Sequence, residues 1–329
     1  MLEFAPLLRN PHLLTIFANF AVRRLDTARF PIQERLYSTE PDVQVHVHSQ
    51  QPEGEPLGQI LMVHGLEGSS DAGYMRSMSQ LALESGFGVH RTNMRSCGGT
   101  ESLCKTMYHA GLTSDTLSIA RQIKAGSGGS TFLVGYSLGG NVVLKLAGEL
   151  GTDAAGLIDG VCAVSTPIDL AASVRKMSQR ENFLYERRFL ARLKERIRRR
   201  AESLPGVYDL EALKKCRSVY EFDDRITAPF FGFGTADRYY GTQSAQNFLD
   251  GIRIPALLVQ AKDDPLIPFE IFDHPAIRSN PNITLLAVEH GGHLGFLANS
   301  SPRFWVDRVI LQWISETRNR TAGTFVSSK

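Results

Sequence analysis

A chain of 329 residues with 43% hydrophobic and 21% charged residues has the composition of a folded globular protein, which excludes extensive disorder. The formal net charge of +2 gives no basis for a nucleic acid partner, and none is expected. The first residues lack a basic and apolar leader, and no window approaches the roughly 18 apolar residues of a membrane-spanning helix, so we expect a cytoplasmic protein.

The chain begins with an arm over residues 1–30, which we expect to pack on the main body. Residues 30–38 and 43–48 then alternate like strands and predict a hairpin. Alternation puts His46 and His48 on one face of the second strand. Without a nearby carboxylate or cysteine, two histidines are a weak basis for a metal site, so we favour solvated strand histidines and expect no metal.

Strand and helix patterns alternate from residue 59 to residue 166 without a hairpin signal, and the same rhythm returns after residue 251. This alternation predicts an α/β fold with a mostly parallel central sheet flanked by helices. A final amphipathic helix is predicted over residues 302–316. The predicted strands of this part cover residues 59–63, 88–93, 131–134, 160–165, 256–261 and 283–288.

Between these two blocks, residues 168–250 read as helices and loops without alternation. An insertion at this point of a parallel sheet lies over the carboxyl ends of the strands, where ligands bind. We therefore predict a core of residues 31–167 and 251–329, with residues 168–250 forming a helical cap. Residues 231–240 are aromatic and form either pocket lining or a packed loop.

One cap helix is strongly basic, with eleven Lys or Arg residues and three Asp or Glu residues between positions 175 and 200. A capping box over residues 178–181 predicts its start and Pro205 its end. The charge suggests either peripheral contact with an anionic surface such as a membrane, or the solvated face of a lid helix. The balanced total charge favours the second. The apolar seam of this helix consists of Phe183, Leu190, Leu193 and Ile197.

The sequence GYSLGG places Ser137 between Gly135 and Gly139, after a short apolar strand and before a helical segment. A strand that enters such a turn and a helix that leaves it predict a nucleophile elbow, in which the serine hydroxyl is exposed at the helix N-terminus. The glycines are needed because the turn is sharp. Ser137 is therefore the candidate nucleophile.

A serine hydroxyl needs a general base, and the base needs a carboxylate that orients it. In this arrangement the acid and then the histidine follow the serine in the chain. Asp264 is the preferred acid because of the spacing Asp-Pro-x-Ile-Pro, and Asp263 is the alternative. In the glycine-rich loop that follows the last strand, His293 is the candidate base and His290 a structural neighbour.

Acyl transfer also requires two hydrogen-bond donors for the oxyanion of the tetrahedral intermediate. The backbone N–H of Leu138, the residue after the nucleophile, is one candidate. The second is the N–H of Leu66, in the loop that follows the strand 59–63. The alternative for residues 64–67 is a simple β-turn.

The motifs HGLEGSS, GYSLGGN, DDPLIP and EHGGHLGF together resemble the α/β-hydrolases. More narrowly, NPHLLT, NMRSCGGT, YHAGLTSD and VSTPIDL are similar to the YheT-like esterases and their eukaryotic α/β-hydrolase-domain relatives, from residue 10 to residue 296. Ser96 stands where the family usually has glycine. Tyr108, His109 and Asp115 belong to the family signature, and we expect them to brace loops. Eukaryotic relatives commonly carry an N-terminal membrane anchor, which we do not expect here.

The resemblance implies hydrolysis of carboxylic esters by a Ser-Asp-His triad. We accordingly predict a serine esterase or lipase that needs no cofactor and acts on small-molecule esters or lipids with short to medium acyl chains. Peptidase, thioesterase and acyltransferase activity remain open. A non-catalytic lipid or small-molecule binder is the alternative from another class. The sequence does not predict the oligomeric state.

Overall fold

The computed structural model describes residues 3–301 and 303–326. Within these residues, eight strands form one sheet in the order β1-β2-β4-β3-β5-β6-β7-β8. The first two strands form the predicted antiparallel hairpin, β2 pairs antiparallel with β4, and the other neighbours are parallel. The strands are β1 (Gln33–Glu40), β2 (Val43–Gln50), β3 (Gln59–Val63), β4 (Gly88–Thr92), β5 (Thr131–Tyr136), β6 (Gly160–Val164), β7 (Ala256–Ala261) and β8 (Ile283–Val288).

The central strands are apolar throughout because helices cover both faces of the sheet. On β3, Leu61 points to the layer that contains α3 and α4, whereas Met62 points to the layer that contains α2 and α12. Both side chains are fully buried. The predicted α/β-hydrolase fold with helices on both faces of a mostly parallel sheet is thus confirmed. The helices of the two layers are α2 (Gly73–Glu84), α3 (Ser114–Ser127), α4 (Leu138–Leu150) and α12 (Trp305–Val326).

The N-terminal helix α1 (Pro11–Phe20) packs against the loop that follows β8. Its N-cap is Asn10, whose Oδ1 accepts a hydrogen bond from the Leu13 N–H at 3.0 Å. Leu14 and Ala18 are buried against Leu297. The arm therefore has an ordered contact with the main body, as predicted.

Residues 168–250 contain one helix of 21 residues and several shorter helices, connected by turns. These are α5 (Leu170–Met177), α6 (Phe183–Ser203), α7 (Leu210–Lys215), α8 (Val219–Phe222), α9 (Ala228–Phe230) and α10 (Ala236–Gln243), and α11 (Pro275–Ser279) follows β7. Apolar side chains of α6, such as Ile197, join the same cluster as Leu61 of the sheet. The part of the chain between α5 and α10 therefore shares a hydrophobic core with the sheet.

The predicted capping box at residues 178–181 is wrong. Asp169 caps α5, this helix runs to Met177, and Ser178 is left at its C-terminus. The Ser178 hydroxyl donates to Glu186 Oε1 at 2.7 Å instead of capping a helix, and α6 begins only at Phe183. The four-residue capping pattern does not show that Ser178 already forms the C-cap of the preceding helix, α5.

The predicted seam of α6 is partly confirmed. Leu190, Leu193 and Ile197 are buried, whereas Phe183 is 55% exposed because it lies at the first residue of the helix. The helix ends before Pro205, as predicted. The predicted start of the final helix, residue 302, lies outside the described residues, and α12 itself begins at Trp305 and extends well past residue 316. In the described part of the chain, none of the helices combines the length and the apolar character needed to cross a bilayer.

Candidate active site

The site lies at the carboxyl edge of the parallel strands, where several loops meet. Ser137 follows β5, and its φ of +51° is a strained conformation for a residue with a side chain. A Cβ on Gly135 would lie 2.2 Å from the Gly139 carbonyl oxygen, and one on Gly139 would lie 2.2 Å from that of Val63. Only glycine fits at both positions, so the predicted sharp turn is present.

Ser137, His293 and Asp264 form a continuous chain of hydrogen bonds. His293 Nε2 lies 3.1 Å from Ser137 Oγ, and His293 Nδ1 lies 2.9 Å from Asp264 Oδ2. The loops after β5, β7 and β8 bring the three residues together, although Ser137 and His293 are 156 positions apart. With Nδ1–H donating to the carboxylate, Nε2 is left free to accept the serine proton.

The Asp264 side chain is fully buried and held by further donors. Its Oδ1 accepts from the N–H groups of Leu266 at 2.8 Å and Ile267 at 3.1 Å. Gln260 Nε2 lies 3.2 Å from the other oxygen. These donors stabilise a carboxylate that has lost its contact with water and fix the direction in which it faces His293.

Asp263, the alternative acid, contacts other groups. Its Oδ1 accepts from the N–H groups of Gly291 and Gly292, both at 2.9 Å, and its Oδ2 lies 3.1 Å from His290 Nδ1. These bonds shape the loop that carries His293. His290 is half-exposed and contacts Asp263, in agreement with the predicted structural role.

The two candidate oxyanion donors, Leu66 and Leu138, both line the cleft that contains Ser137. Leu138 is the first residue of α4, where backbone N–H groups have no partner within the helix. The predicted alternative for the other loop is also present, since the Gly68 N–H donates to the Gly65 carbonyl at 3.0 Å in a β-turn. The turn does not exclude the Leu66 N–H as an oxyanion donor, because Leu66 is a central residue of the turn from Gly65 to Gly68.

The His64 side chain connects this turn to the loop that follows β4. Its Nδ1 donates to the Gly65 carbonyl oxygen at 2.7 Å, and its Nε2 accepts from the Met94 N–H at 3.1 Å. Burial lowers the pKa of His64 to about 4, so the ring is neutral near pH 7. The role of His64 was not predicted from the sequence, although its place directly before Gly65 was a signal.

Glu67, in the same turn, connects the oxyanion loop to α6. Its φ is +53°, and its Oε1 accepts hydrogen bonds from Arg196 Nε and from the Tyr108 hydroxyl, both at 2.8 Å. The Tyr108 oxygen in turn accepts from the Glu67 N–H at 3.0 Å. Tyr108 therefore braces a loop, as predicted. The role of Arg196 was not predicted, because nothing in the sequence separates it from the other basic residues of α6.

Arg196 is buried, and two opposing effects act on its pKa. Burial lowers the pKa of the guanidinium, but the nearby Glu67 carboxylate, together with other neighbouring groups, raises it, and the net effect is a raised pKa. Arg196 Nη1 also donates to Ser96 Oγ at 3.2 Å. Ser96 has a φ of +64°, which explains why glycine is usual there, and its hydroxyl supplies a contact that glycine lacks.

Of the remaining signature residues, Asp115 braces a loop, as predicted, and His109 lines the cleft that contains Ser137. Asp115 accepts two hydrogen bonds from Arg95, both at 2.7 Å. His109 packs edge-on against Phe231 and Tyr239. Burial lowers its pKa to about 3, which keeps the ring neutral.

A narrow cleft leads from Ser137 and His293 into the region between the sheet and residues 168–250. Its walls are mostly apolar. Asp223 is a polar exception that is partly buried: its burial raises its pKa to about 6, and the Tyr240 hydroxyl donates to it at 2.6 Å. Within 231–240, Tyr239 and Tyr240 line the cleft, whereas Phe231 and Phe233 pack beside it. Other apolar wall residues are Leu170, Val174, Met177, Leu193, Val219 and Phe222.

The hairpin brings a carboxylate to the two strand histidines, which the sequence did not predict. Glu34 pairs with His48 in register, and Glu34, His46 and His48 offer ligand atoms within 4.8 Å of one another. However, Asn93 Nδ2 donates to His46 Nδ1 at 3.2 Å, since its Oδ1 is taken by the Ser70 N–H. This bond puts the proton of neutral His46 on Nε2, facing Glu34, and so disfavours metal ligation there.

Comparison with known proteins shows the family to which the chain belongs. Residues 58–300 match the alpha/beta hydrolase fold family, and the chain belongs to that family. The candidate esterase YheT of Escherichia coli (strain K12) is 31% identical over 321 residues, covering 95% of this chain and 93% of that protein. The predicted family and its YheT-like branch are thereby confirmed.

Two further similarities come from a relative and a solved structure. Phospholipase ABHD3 of Mus musculus is 29% identical over 259 residues, which are 78% of this chain and 62% of that protein. An esterase of Pyrococcus furiosus shares the fold with a TM-score of 0.59 at 17% identity, over 97% of this chain and 99% of the other. The names of these proteins agree with the predicted ester hydrolase.

Proposed function

We propose that the protein hydrolyses carboxylic esters through an acyl-serine intermediate. The single observation that supports this most strongly is the hydrogen-bonded chain from Ser137 through His293 to Asp264, with distances of 3.1 and 2.9 Å. A protein that only binds lipids has no need of a base and an oriented carboxylate beside an exposed serine. The esterase and phospholipase names of the relatives point the same way.

In the proposed reaction, Ser137 Oγ attacks the ester carbonyl carbon while His293 Nε2 takes the hydroxyl proton. The N–H groups of Leu66 and Leu138 donate to the oxyanion of the tetrahedral intermediate. His293 then returns the proton to the leaving alcohol, and the acyl group stays on Ser137. Asp264 remains ionised throughout and stabilises the imidazolium.

Deacylation repeats these steps with water as the nucleophile. His293 takes a proton from the water, which attacks the acyl carbonyl carbon, and Ser137 leaves as it regains that proton. The acid product is released and the free enzyme is restored.

The apolar cleft favours short to medium acyl chains as the substrate. Residues 168–250 would act as its cap, since they supply most of the wall opposite Ser137. The apolar wall of the cleft suits an alkyl chain. The same geometry serves a thioester substrate or an alcohol acceptor in place of water, so thioesterase and acyltransferase reactions are second candidates.

The test is hydrolysis of p-nitrophenyl esters of graded chain length by the parent and by Ser137→Ala. We expect the variant to lose at least about 10⁴-fold in kcat, with activity in the parent falling beyond medium chain length. Labelling by a fluorophosphonate probe serves as a second readout, since it reports an activated serine without requiring the right ester. Equal rates in both proteins, with no labelling of the parent, would leave the binding protein as the better hypothesis.

A further inference from the structure

Helix α1 presents an apolar stripe to solvent. Leu14 and Ala18 face inward, but Leu13, Ile16, Phe17 and Phe20 follow the i, i+3, i+4, i+7 spacing of a single face and are all exposed. Phe20 is 72% exposed and Val22, just after the helix, is 82% exposed. Single exposed apolar residues are ordinary, whereas a contiguous stripe of this kind indicates an interaction surface.

This stripe borders the entrance to the candidate active site. A wide groove has Ile16 and Phe20 of α1 on one side and Arg188 and Arg192 of α6 on the other. Ser137 and His293 lie in the same groove. The two helices also touch each other, since the rings of His12 and Tyr185 stack at a centroid distance of 5.8 Å.

The basic side of the groove carries charge without local compensation. Arg188 and Arg192 are both exposed and stand one helical turn apart, and among the described residues no carboxylate lies within 4.0 Å of either guanidinium. Burial and the charge of Arg192 both lower the pKa of Arg188. The acidic groups that line the groove have other partners, because Glu67 pairs with Arg196, Glu195 with Arg198 and Arg199, Glu101 with Arg199, and Asp71 with Arg91.

We propose that this face docks on the surface of an anionic phospholipid bilayer. The stripe of α1 would insert at the boundary between headgroups and acyl chains, and Arg188 and Arg192 would contact lipid phosphates. Stable attachment to a lipid surface requires two signals, and an apolar stripe beside cations without carboxylate partners supplies both. A protein partner would instead need a surface that matches the shape of this face. The purpose of the docking, delivery of a lipid ester to Ser137, rests on the proposed function.

The test is sedimentation with vesicles of phosphatidylcholine, alone or mixed with phosphatidylglycerol. The Ser137→Ala protein is used throughout, so that no vesicle lipid is hydrolysed. We expect binding to the mixed vesicles to fall about 25-fold in Arg188→Gln/Arg192→Gln, at roughly fivefold for each cation. Leu13→Gln/Phe17→Gln should weaken binding to both kinds of vesicle at least about tenfold, since both side chains leave water on insertion.

The matched control is Lys105→Gln/Arg121→Gln, which removes two exposed cations that do not line the groove and should bind like the parent. A parent that does not sediment with either kind of vesicle overturns the proposal, and so does an equal loss in control and test variants. Leu13→Gln/Phe17→Gln with Ser137 present should hydrolyse a short water-soluble ester at the parent rate. If no protein hydrolyses any ester but vesicle binding follows the expected pattern, the proposed function fails and the docking surface stands.

Discussion

Asp263 and Asp264 are neighbours in the chain, yet the fold gives them different partners. Asp264 accepts from His293 at 2.9 Å, whereas Asp263 accepts from the backbone of the loop that carries this histidine. The first bond sets the tautomer of the imidazole, and the second sets the shape of the loop. Each carboxylate therefore acts on the same histidine by a different route.

Asp264→Asn is expected to lower kcat by about 10⁴-fold, because an amide in this position favours the tautomer that cannot accept the serine proton. Hydrolysis of a short p-nitrophenyl ester measures this loss. Asp263→Asn is the matched control, and we expect a loss below about tenfold in kcat, since the amide oxygen still accepts from the loop. Equal losses in the two variants would contradict the separate roles.

At the scale of a single element, α6 combines two kinds of arginine. Arg196 and Arg200 are buried and hold loops of the core, Arg196 through Glu67 and Arg200 through the carbonyl oxygens of Glu101 and Cys104. Arg188 and Arg192 are exposed along the groove. The expectation of one solvated basic face therefore holds for only part of the helix, because Arg192 and Arg196 lie about one turn apart and only Arg196 is buried against a carboxylate, that of Glu67.

Arg196→Met is expected to lower kcat by roughly tenfold to a hundredfold with KM within about threefold, since it releases the turn that carries the Leu66 N–H. Arg196→Lys keeps the charge beside Glu67 and should recover part of the rate. Arg200→Met is the matched control on the same helix, and should lower the stability without lowering kcat. A rise in KM at constant kcat in Arg196→Met would mean that Arg196 binds the substrate and does not position the loop.

At the scale of the whole molecule, buried titratable groups make stability depend on pH in two opposite directions. Burial lowers the pKa of His64 to about 4 and the pKa of His90 and His109 to about 3. In the unfolded chain these rings take up protons below about pH 6.5, so acid favours unfolding. Burial raises the pKa of Asp223 and Asp307 to about 6, so the native state binds extra protons between about pH 4 and 6, and acid there favours folding.

Between pH 7 and pH 5, the three histidines lower the free energy of unfolding by more than the two aspartates raise it. At roughly 2 kcal/mol lost for each histidine and about 1.3 kcal/mol gained for each aspartate, the free energy of unfolding should fall by roughly 3 kcal/mol between about pH 7 and pH 5. Urea unfolding at the two pH values measures it. Asp223→Asn removes one opposing group, so its stability should fall by about 1 kcal/mol more over the same range. A parent that is equally stable at both pH values would contradict this balance.

The sequence by itself determined the sheet, the helices around it and the residues of the candidate triad. These depend on signals that are local in the chain, such as apolar runs that end in a loop, glycines at the tight turn around Ser137, and the order of serine, acid and histidine. A continuous apolar run predicts a strand that is buried on both faces, even when the neighbouring strands are not known. The choice of Asp264 over Asp263 came from spacing, and the hydrogen bonds of the two side chains agree with it.

Only the tertiary structure decided which distant groups meet. Glu34 reaches His46 and His48 through the register of the hairpin, and the Asn93 amide that fixes the His46 tautomer comes from another strand. Arg196 and Glu67 are 129 positions apart, and the start of α6 depended on where α5 ended. Such contacts arise from packing, which brings together residues whose local sequences contain no information about each other.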